Sequence, residues 1–176
     1  MTALRMMGAV QRLRAQTGPA HDAVDAAFGG HDLGDRIAYA RFLTAHARAL
    51  PAVEAVLAAR SELPAWRERT GMLAADLADL GLAMPEHLPF VMPDRPGAAW
   101  GALYVTEGSR LGGIMLARGV PEDLPARYLG AKHLPGEWRA LLAAIDAAGE
   151  AGGEAWIEGA VSGAEACFAL YGCAVG

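Results

Sequence analysis

Apolar residues recur at steps of three and four along most of the chain, as in helices that each bury one stripe. Thr2 to Gln16 carries Leu4, Met7, Val10 and Leu13 at this spacing, with Arg5, Arg12 and Arg14 on other faces. Gly18-Pro19 then punctuates. Thr17 is suited to N-cap a continuation, Ala20 to Phe28, in which Pro19 takes an early position where its missing N–H does no harm. Gly29-Gly30 closes it. Asp35 is placed to cap Arg36–Leu50, whose stripe is Ile37, Ala40, Phe42, Leu43 and Ala47. Pro51 admits a bend or a new helix through Val53–Arg60, and Pro64 opens a further short segment. Leu73, Leu77 and Leu80 mark a helix over Glu68–Leu80, stopped by Gly81. Pro85, Pro89, Pro93 and Pro96 exclude a regular element from Met84–Gly97. A helix starts near Ala98. Pro121 to Pro135 is irregular, with a short helical piece around Leu124–Leu129. Glu137–Ala148 turns Trp138, Leu141, Leu142 and Ile145 inward. Gly149–Gly153 is a break, and Glu154–Tyr171 closes the chain with Trp156, Ile157, Val161, Ala164, Phe168 and Tyr171.

The helix after Ala98 is unusual. It reads GALYVTEGSRLGGIMLAR over Gly101–Arg118, with Gly101, Gly108, Gly112 and Gly113 inside it. Each interior glycine costs about 1 kcal/mol relative to alanine. Gly108 and Gly112 lie four apart and share a face. That face is a groove without side chains, open either to a closely packed helix or to a flat ligand.

His21, Val24, Asp25 and Phe28 also share a face. A carboxylate one turn after a histidine can accept its Nδ1 proton, which leaves Nε2 free for a metal. A plain surface pair has the same spacing. His46 lies on the helix after Asp35, as a pocket-facing group or as a hydrogen-bonded core residue.

Composition narrows these readings. Alanine dominates the apolar residues while valine, isoleucine and aromatics are few, which favours an all-α fold over a sheet. The 176 residues suit one domain over 1–176. The net charge of −5 makes nucleic acid an unsuitable partner. Among the cations only Lys132 is lysine, a compositional bias. Cys167 and Cys173 are expected as free buried thiols in a reducing compartment. No secretory signal pattern and no run of about 18 apolar residues is present, so a cytoplasmic protein without a membrane span is expected. A P-loop, a dinucleotide turn, HExxH and paired E-x-x-H carboxylates are missing. Gly108-Ser109-Arg110-Leu111-Gly112 carries its serine one position too early for a nucleophile elbow. Ligation of a metal by a single histidine is the chemistry left.

Two motifs then stand in order: Thr17-x-x-x-His21-x-x-x-Asp25 after Leu13-Arg14, and Tyr104-Val-x-Glu107-Gly108-Ser109-x-Leu111-Gly112-Gly113. Together with Leu73-x-x-Asp76-Leu77-x-x-Leu80-Gly81 and Phe168-Ala-Leu-Tyr171, they resemble the heme oxygenase family. The likeness is to its short bacterial members, those that accompany bacteriophytochromes, and it covers Val10 to Tyr171. The resemblance implies a multi-helix bundle with heme between a proximal helix and a glycine-kinked distal helix. It implies His21 as the iron ligand and Asp25 as the partner of its other nitrogen. Gly108, Ser109, Gly112 and Gly113 match the distal segment, and Arg14 matches a position that pairs with a heme propionate. Heme would be cofactor and substrate, opened with O2 and external electrons to biliverdin, carbon monoxide and ferrous iron. A ferredoxin or similar reductase and a biliverdin-receiving bacteriophytochrome are the partners implied.

The chain departs from the family in two places. Many eukaryotic members carry an aspartate where Ser109 stands, followed here by Arg110, so proton delivery falls to Ser109, Arg110, backbone carbonyls and water. No Lys or Arg follows Arg139, so the last helix cannot clamp the propionates. Arg110, Lys132 or His133 would substitute, or one propionate would stay in water. Both departures also suit a heme- or biliverdin-binding protein of the same fold with little turnover. A related thiamin-degrading or quinone-cofactor enzyme would need a central nucleophilic cysteine or acid cluster, and both cysteines lie on the last helix.

Overall fold

The computed structural model describes residues 7–175. Thr2, Leu4 and Arg5 of the first expected helix lie outside them. The described elements are α1 (Ala9–Phe28), α2 (Arg36–Ala58), α3 (Thr70–Asp79), α4 (Ala98–Ala117) and α5 (Glu137–Val175), and the fold is all-α. No described helix is long and apolar enough to cross a membrane.

α1 runs unbroken through Gly18-Pro19, where the sequence suggests punctuation. Thr17 is not a cap. It is buried, and its hydroxyl donates to the Leu13 carbonyl at 2.7 Å. Pro19 removes one backbone bond, and burial of Leu13 and Phe28 against the rest of the bundle outweighs that loss. The same holds in α2, which continues through Pro51 to Ala58. Asp35 caps α2 as expected, Oδ1 accepting from the Ala38 N–H at 2.8 Å. Ile37 leaves the expected stripe and is 64% exposed in the first turn. Pro64 opens no helix; residues 64–69 have no regular structure.

α3 has no side-chain cap of its own. Buried Glu54 of α2 does that work from across the core. Its carboxylate accepts from the Arg69 N–H at 2.8 Å, the Thr70 N–H at 3.0 Å and the Thr70 hydroxyl at 2.6 Å, placing a negative charge at the positive helix end. Gly81, with φ at 79°, ends the element. Its N–H donates to the Ala78 carbonyl and that of Leu82 to the Leu77 carbonyl, the paired closure of a left-handed helix stop. The proline-rich connection to α4 has no regular structure. Residues 121–135 are a series of turns without the expected helical piece.

The break expected at Gly149–Gly153 narrows to one residue. α5 continues through it, and only Gly153, with φ 69° and ψ −161°, leaves helical geometry. The bidentate pair Arg12–Glu154, at 2.6 Å on both arms, ties α1 to this kink. α5 then packs along α1, α2 and α4. Where it meets α4 the backbones nearly touch. A Cβ on Gly101 would lie 1.7 Å from the Ala160 carbonyl oxygen, and one on Gly163 would lie 1.9 Å from that of Ala98. Gly101 is therefore a packing glycine. Cys167 is buried there, while Cys173 is exposed, contrary to expectation.

Candidate heme site

A cavity of about 370 Å³ opens between α1 and α4. From α1 it is faced by Arg14, His21, Val24, Asp25 and Phe28, which recur at helical spacing on one face. From α4 it is faced by Tyr104, Val105, Gly108, Ser109, Leu111, Gly112, Gly113 and Leu116. Phe42 and His46 of α2, Arg69, Tyr128, Leu129, and Trp138, Phe168 and Tyr171 of α5 complete the lining. The structure thus gathers seven of the eight residues expected at the site: Arg14, His21, Asp25, Gly108, Ser109, Gly112 and Gly113.

Arg110 is the correction. It is 1% exposed and does not line the cavity. Its Nε donates to both oxygens of Glu107 at 3.0 Å, and the other nitrogens donate to the Ala131 and Arg67 carbonyls. The guanidinium is spent holding α4 to the segments around it. His133 is also withdrawn, with Nε2 3.3 Å from Glu107 and the ring stacked on Trp138. Lys132 is exposed and outside the lining. Arg14 is the cation at the mouth, with no ion pair among the described residues.

His21 exposes 57% of its side chain. Its Nδ1 lies 3.4 Å from Asp25 Oδ2 and 3.6 Å from Asp22 Oδ1, and the ring meets the edge of Phe168 at 5.8 Å. Nε2 carries no hydrogen bond. Opposite stand the glycines, whose reasons differ. A Cβ on Gly112 would meet nothing within 4 Å, and one on Gly108 only the rim of Trp138 at 3.4 Å. Packing does not demand either glycine. Gly113 is different, since its Cβ would come 2.9 Å from the Leu129 carbonyl oxygen.

Deeper in, polar groups converge. Ser109 donates its hydroxyl to the Thr106 carbonyl at 2.7 Å and accepts from Arg69 at the same distance. Arg69 also donates to the Thr106 carbonyl at 2.7 Å and lies 5.1 Å over the ring of Tyr128. His46 Nδ1 and the Tyr128 hydroxyl share a hydrogen bond of 2.7 Å. Burial, then the charge of Arg69, then His31 push the His46 pKa down to about 3, so this imidazole is neutral near pH 7. Burial raises the pKa of Tyr128, and raises that of Tyr171 strongly. Both phenols keep their protons.

His46 carries a consequence for stability. Its folded pKa lies below the unfolded value near 6.5, so between the two the unfolded chain binds the extra proton. Its contribution is complete above pH 6.5 and is lost as the pH falls toward 3, at up to about 1.4 kcal/mol per pH unit. In acid melts His46→Gln is expected to show a shallower decline than wild type across that window. Equal slopes would refute the assignment.

The Glu54–Arg69 arrangement, Tyr128 and Tyr171 had no reading as site residues from the sequence alone. Nothing local to Arg69 distinguishes it from the other arginines. Its burial depends on a carboxylate fifteen positions earlier.

The comparison with solved structures decides the fold. The chain is similar to the heme oxygenase of Neisseria meningitidis, solved with NO and CO bound, at 26% identity and a TM-score of 0.77, over 96% of this chain and 90% of that one. The chain's five described helices have the heme oxygenase fold. No family model and no curated protein matches the sequence. Against the heme oxygenase fold the donor set can be judged on its own chemistry. One imidazole with a free Nε2, a facing wall without side chains at Gly108 and Gly112, and apolar flanks from Phe28, Phe42 and Phe168 fit a flat, largely apolar ligand holding one metal ion.

Proposed function

We propose that this chain is a heme oxygenase that opens heme to biliverdin, carbon monoxide and ferrous iron. The observation that carries the reading is the single cavity that joins the His21 face of α1 to the bare glycine face of α4. Heme, when bound, supplies the iron at which O2 is reduced and the ring that is broken. The chain's own part is positional. His21 offers Nε2 to the iron, and Asp25 holds the proton on Nδ1, which fixes the tautomer and the turn of the ring. Arg14 meets a propionate at the mouth. Gly108 and Gly112 leave room for a small diatomic against the α4 backbone. Ser109, fixed by Arg69 and the Thr106 carbonyl, keeps one lone pair to accept a hydrogen bond from water in the cavity and so to place that water. Apolar side chains around it limit solvent access.

Electrons come from an external donor of the ferredoxin or similar reductase class, as the family resemblance implies. The family resemblance supports a cytoplasmic enzyme and a bacteriophytochrome as recipient of the product. One observation favours a second reading. Among the described residues the only carboxylate in the lining is Asp25, on the histidine side. Without an acid on the α4 side, a protein that holds heme or biliverdin and turns over little has the same architecture.

Hemin titration by visible absorption, followed by ascorbate or a ferredoxin reductase system in air, tests both. One equivalent of hemin with a histidine-ligated Soret band that gives way to biliverdin absorption is the expected result. A Soret band that survives reductant and oxygen supports the binding protein. Absence of stoichiometric binding overturns both.

A further inference from the structure

The bare face of α4 is not equally open at its two ends. Gly108, Gly112 and Trp138 all line the cavity. A Cβ on Gly108 would stand 3.4 Å from Cη2 of Trp138, on the far rim of the six-membered ring. One on Gly112 would meet nothing within 4 Å. Beyond Gly112 the space continues. A second cavity of about 400 Å³ has Gly112, Met115 and Leu116 of α4 in its lining, together with Phe28, His31 and Leu33. Neither Gly108 nor Trp138 lines it.

Trp138 is held in place by two stacked rings. Its centroid lies 5.8 Å from that of Tyr104 of α4, with the planes at 29°, and 5.4 Å from that of His133, at 26°. His133 is itself fixed, with Nε2 3.3 Å from Glu107, and Glu107 takes both its oxygens to the Arg110 guanidinium. The first turn of α5, which carries Trp138, has a separate anchor. Glu137 accepts from Arg67 at 2.7 Å and 3.1 Å and from the Leu134 N–H at 2.6 Å. Turning the indole away from Gly108 would break both ring contacts, so its rim is a fixed obstacle.

We propose that Trp138 is the specificity-determining residue that sets which meso carbon of heme is opened. The inference rests on the heme reading and deepens it. A flat ligand standing on His21 faces α4 across the cavity. A diatomic between the two has room toward Gly112 and is refused it at Gly108, where the Trp138 rim stands. The meso edge on the Gly112 side is then the one opened. Trp138 makes no bond and moves no proton. It denies space at one end of the wall, and one methylene of misfit in an apolar pocket already discriminates by about 10-fold or more.

Trp138→Phe is the deciding variant. It keeps an aromatic ring for Tyr104 and His133 and removes the rim that reaches Gly108. Trp138→Leu removes the reach and the stack together. Hemin-loaded protein gives two readouts. First, the ferric form is titrated with imidazole and with 4-phenylimidazole by visible absorption. Wild type should favour imidazole, and Trp138→Phe should tighten 4-phenylimidazole relative to imidazole by about 10-fold. Second, the biliverdin isomers formed with reductant in air are separated by chromatography. Wild type should give one isomer, and in Trp138→Phe the share of a second should rise by about 10-fold. Changes confined to Trp138→Leu would reduce Trp138 to packing and overturn the proposal. Unchanged ligand preference and an unchanged isomer in both variants, with hemin still bound through His21, overturn it and leave the heme reading standing. Wild type that binds no hemin, or binds it and never opens it, overturns the proposal together with the enzyme reading.

Discussion

Gly101→Val is expected to abolish stable folding, whereas Gly112→Ala should fold more stably than wild type and bind heme less well. The two glycines lie in one helix, and the structure assigns them opposite reasons. At Gly101 a Cβ would sit 1.7 Å from the Ala160 carbonyl oxygen and 2.9 Å from the Ala164 nitrogen. Those are backbone atoms of a packed helix, and no rotamer change moves them. Separating α4 from α5 would also disturb the contacts of Ala98 with Gly163 and of Pro96 with Gly159, where a Cβ would come within 1.9 Å and 1.8 Å of a carbonyl oxygen. A cost of about 3 kcal/mol or more follows from overpacking of this kind, a large part of a typical domain's stability. At Gly112 a Cβ meets nothing within 4 Å. Alanine there gains about 1 kcal/mol of helix propensity and places a methyl group on the floor of the cavity. Chemical denaturation with hemin titration on both variants reads the two effects apart. A stable Gly101→Val protein would disprove the close packing of α4 on α5. Undiminished heme binding and turnover in Gly112→Ala would remove the ligand as the reason for that glycine.

This contrast marks how far the sequence could be read. Spacing placed Gly108 and Gly112 on one face, but whether that face met a helix or a ligand depended on what lay opposite. The helices were legible where caps and stripes are local, as at Asp35 and Gly81. They were misread where tertiary packing overrides local chemistry, as at Gly18-Pro19 and Pro51, which both lie inside continuous helices. The α1 and α4 faces of the site were legible because each is a run of residues at fixed helical steps. The deep wall was not. Arg69, Tyr128 and Tyr171 come from three separate segments, and only the fold brings them together. Arg110 was misplaced for a related reason: its sequence neighbours suggest the site, while Glu107 three residues earlier captures it on another face.

His21→Ala is expected to abolish histidine ligation of heme while leaving the heme-free fold intact. The side chain is 57% exposed and makes only loose contacts with Asp22 and Asp25, so its loss from a helix should move stability by no more than about 0.5 kcal/mol. No other histidine is placed to replace it. His46 also lines the cavity, but its Nδ1 is tied to Tyr128 and its ring is packed among Phe28, Phe42 and Tyr171. His31 holds the Phe28 carbonyl with Nδ1 and lies outside the main lining. His133 is packed between Glu107 and Trp138, and His87 is exposed on the proline-rich connection. Tyr128 and Tyr171 keep their protons and offer no phenolate. Hemin added to His21→Ala should therefore lose the histidine-type Soret band, and added imidazole should restore it by occupying the freed space. Asp25→Asn should retain ligation but weaken it by about 10-fold, the usual effect of losing a partner that orients a metal-bound imidazole. A His21→Ala protein with an unchanged spectrum would place the iron ligand elsewhere and detach the α1 face of the cavity from the chemistry proposed for it.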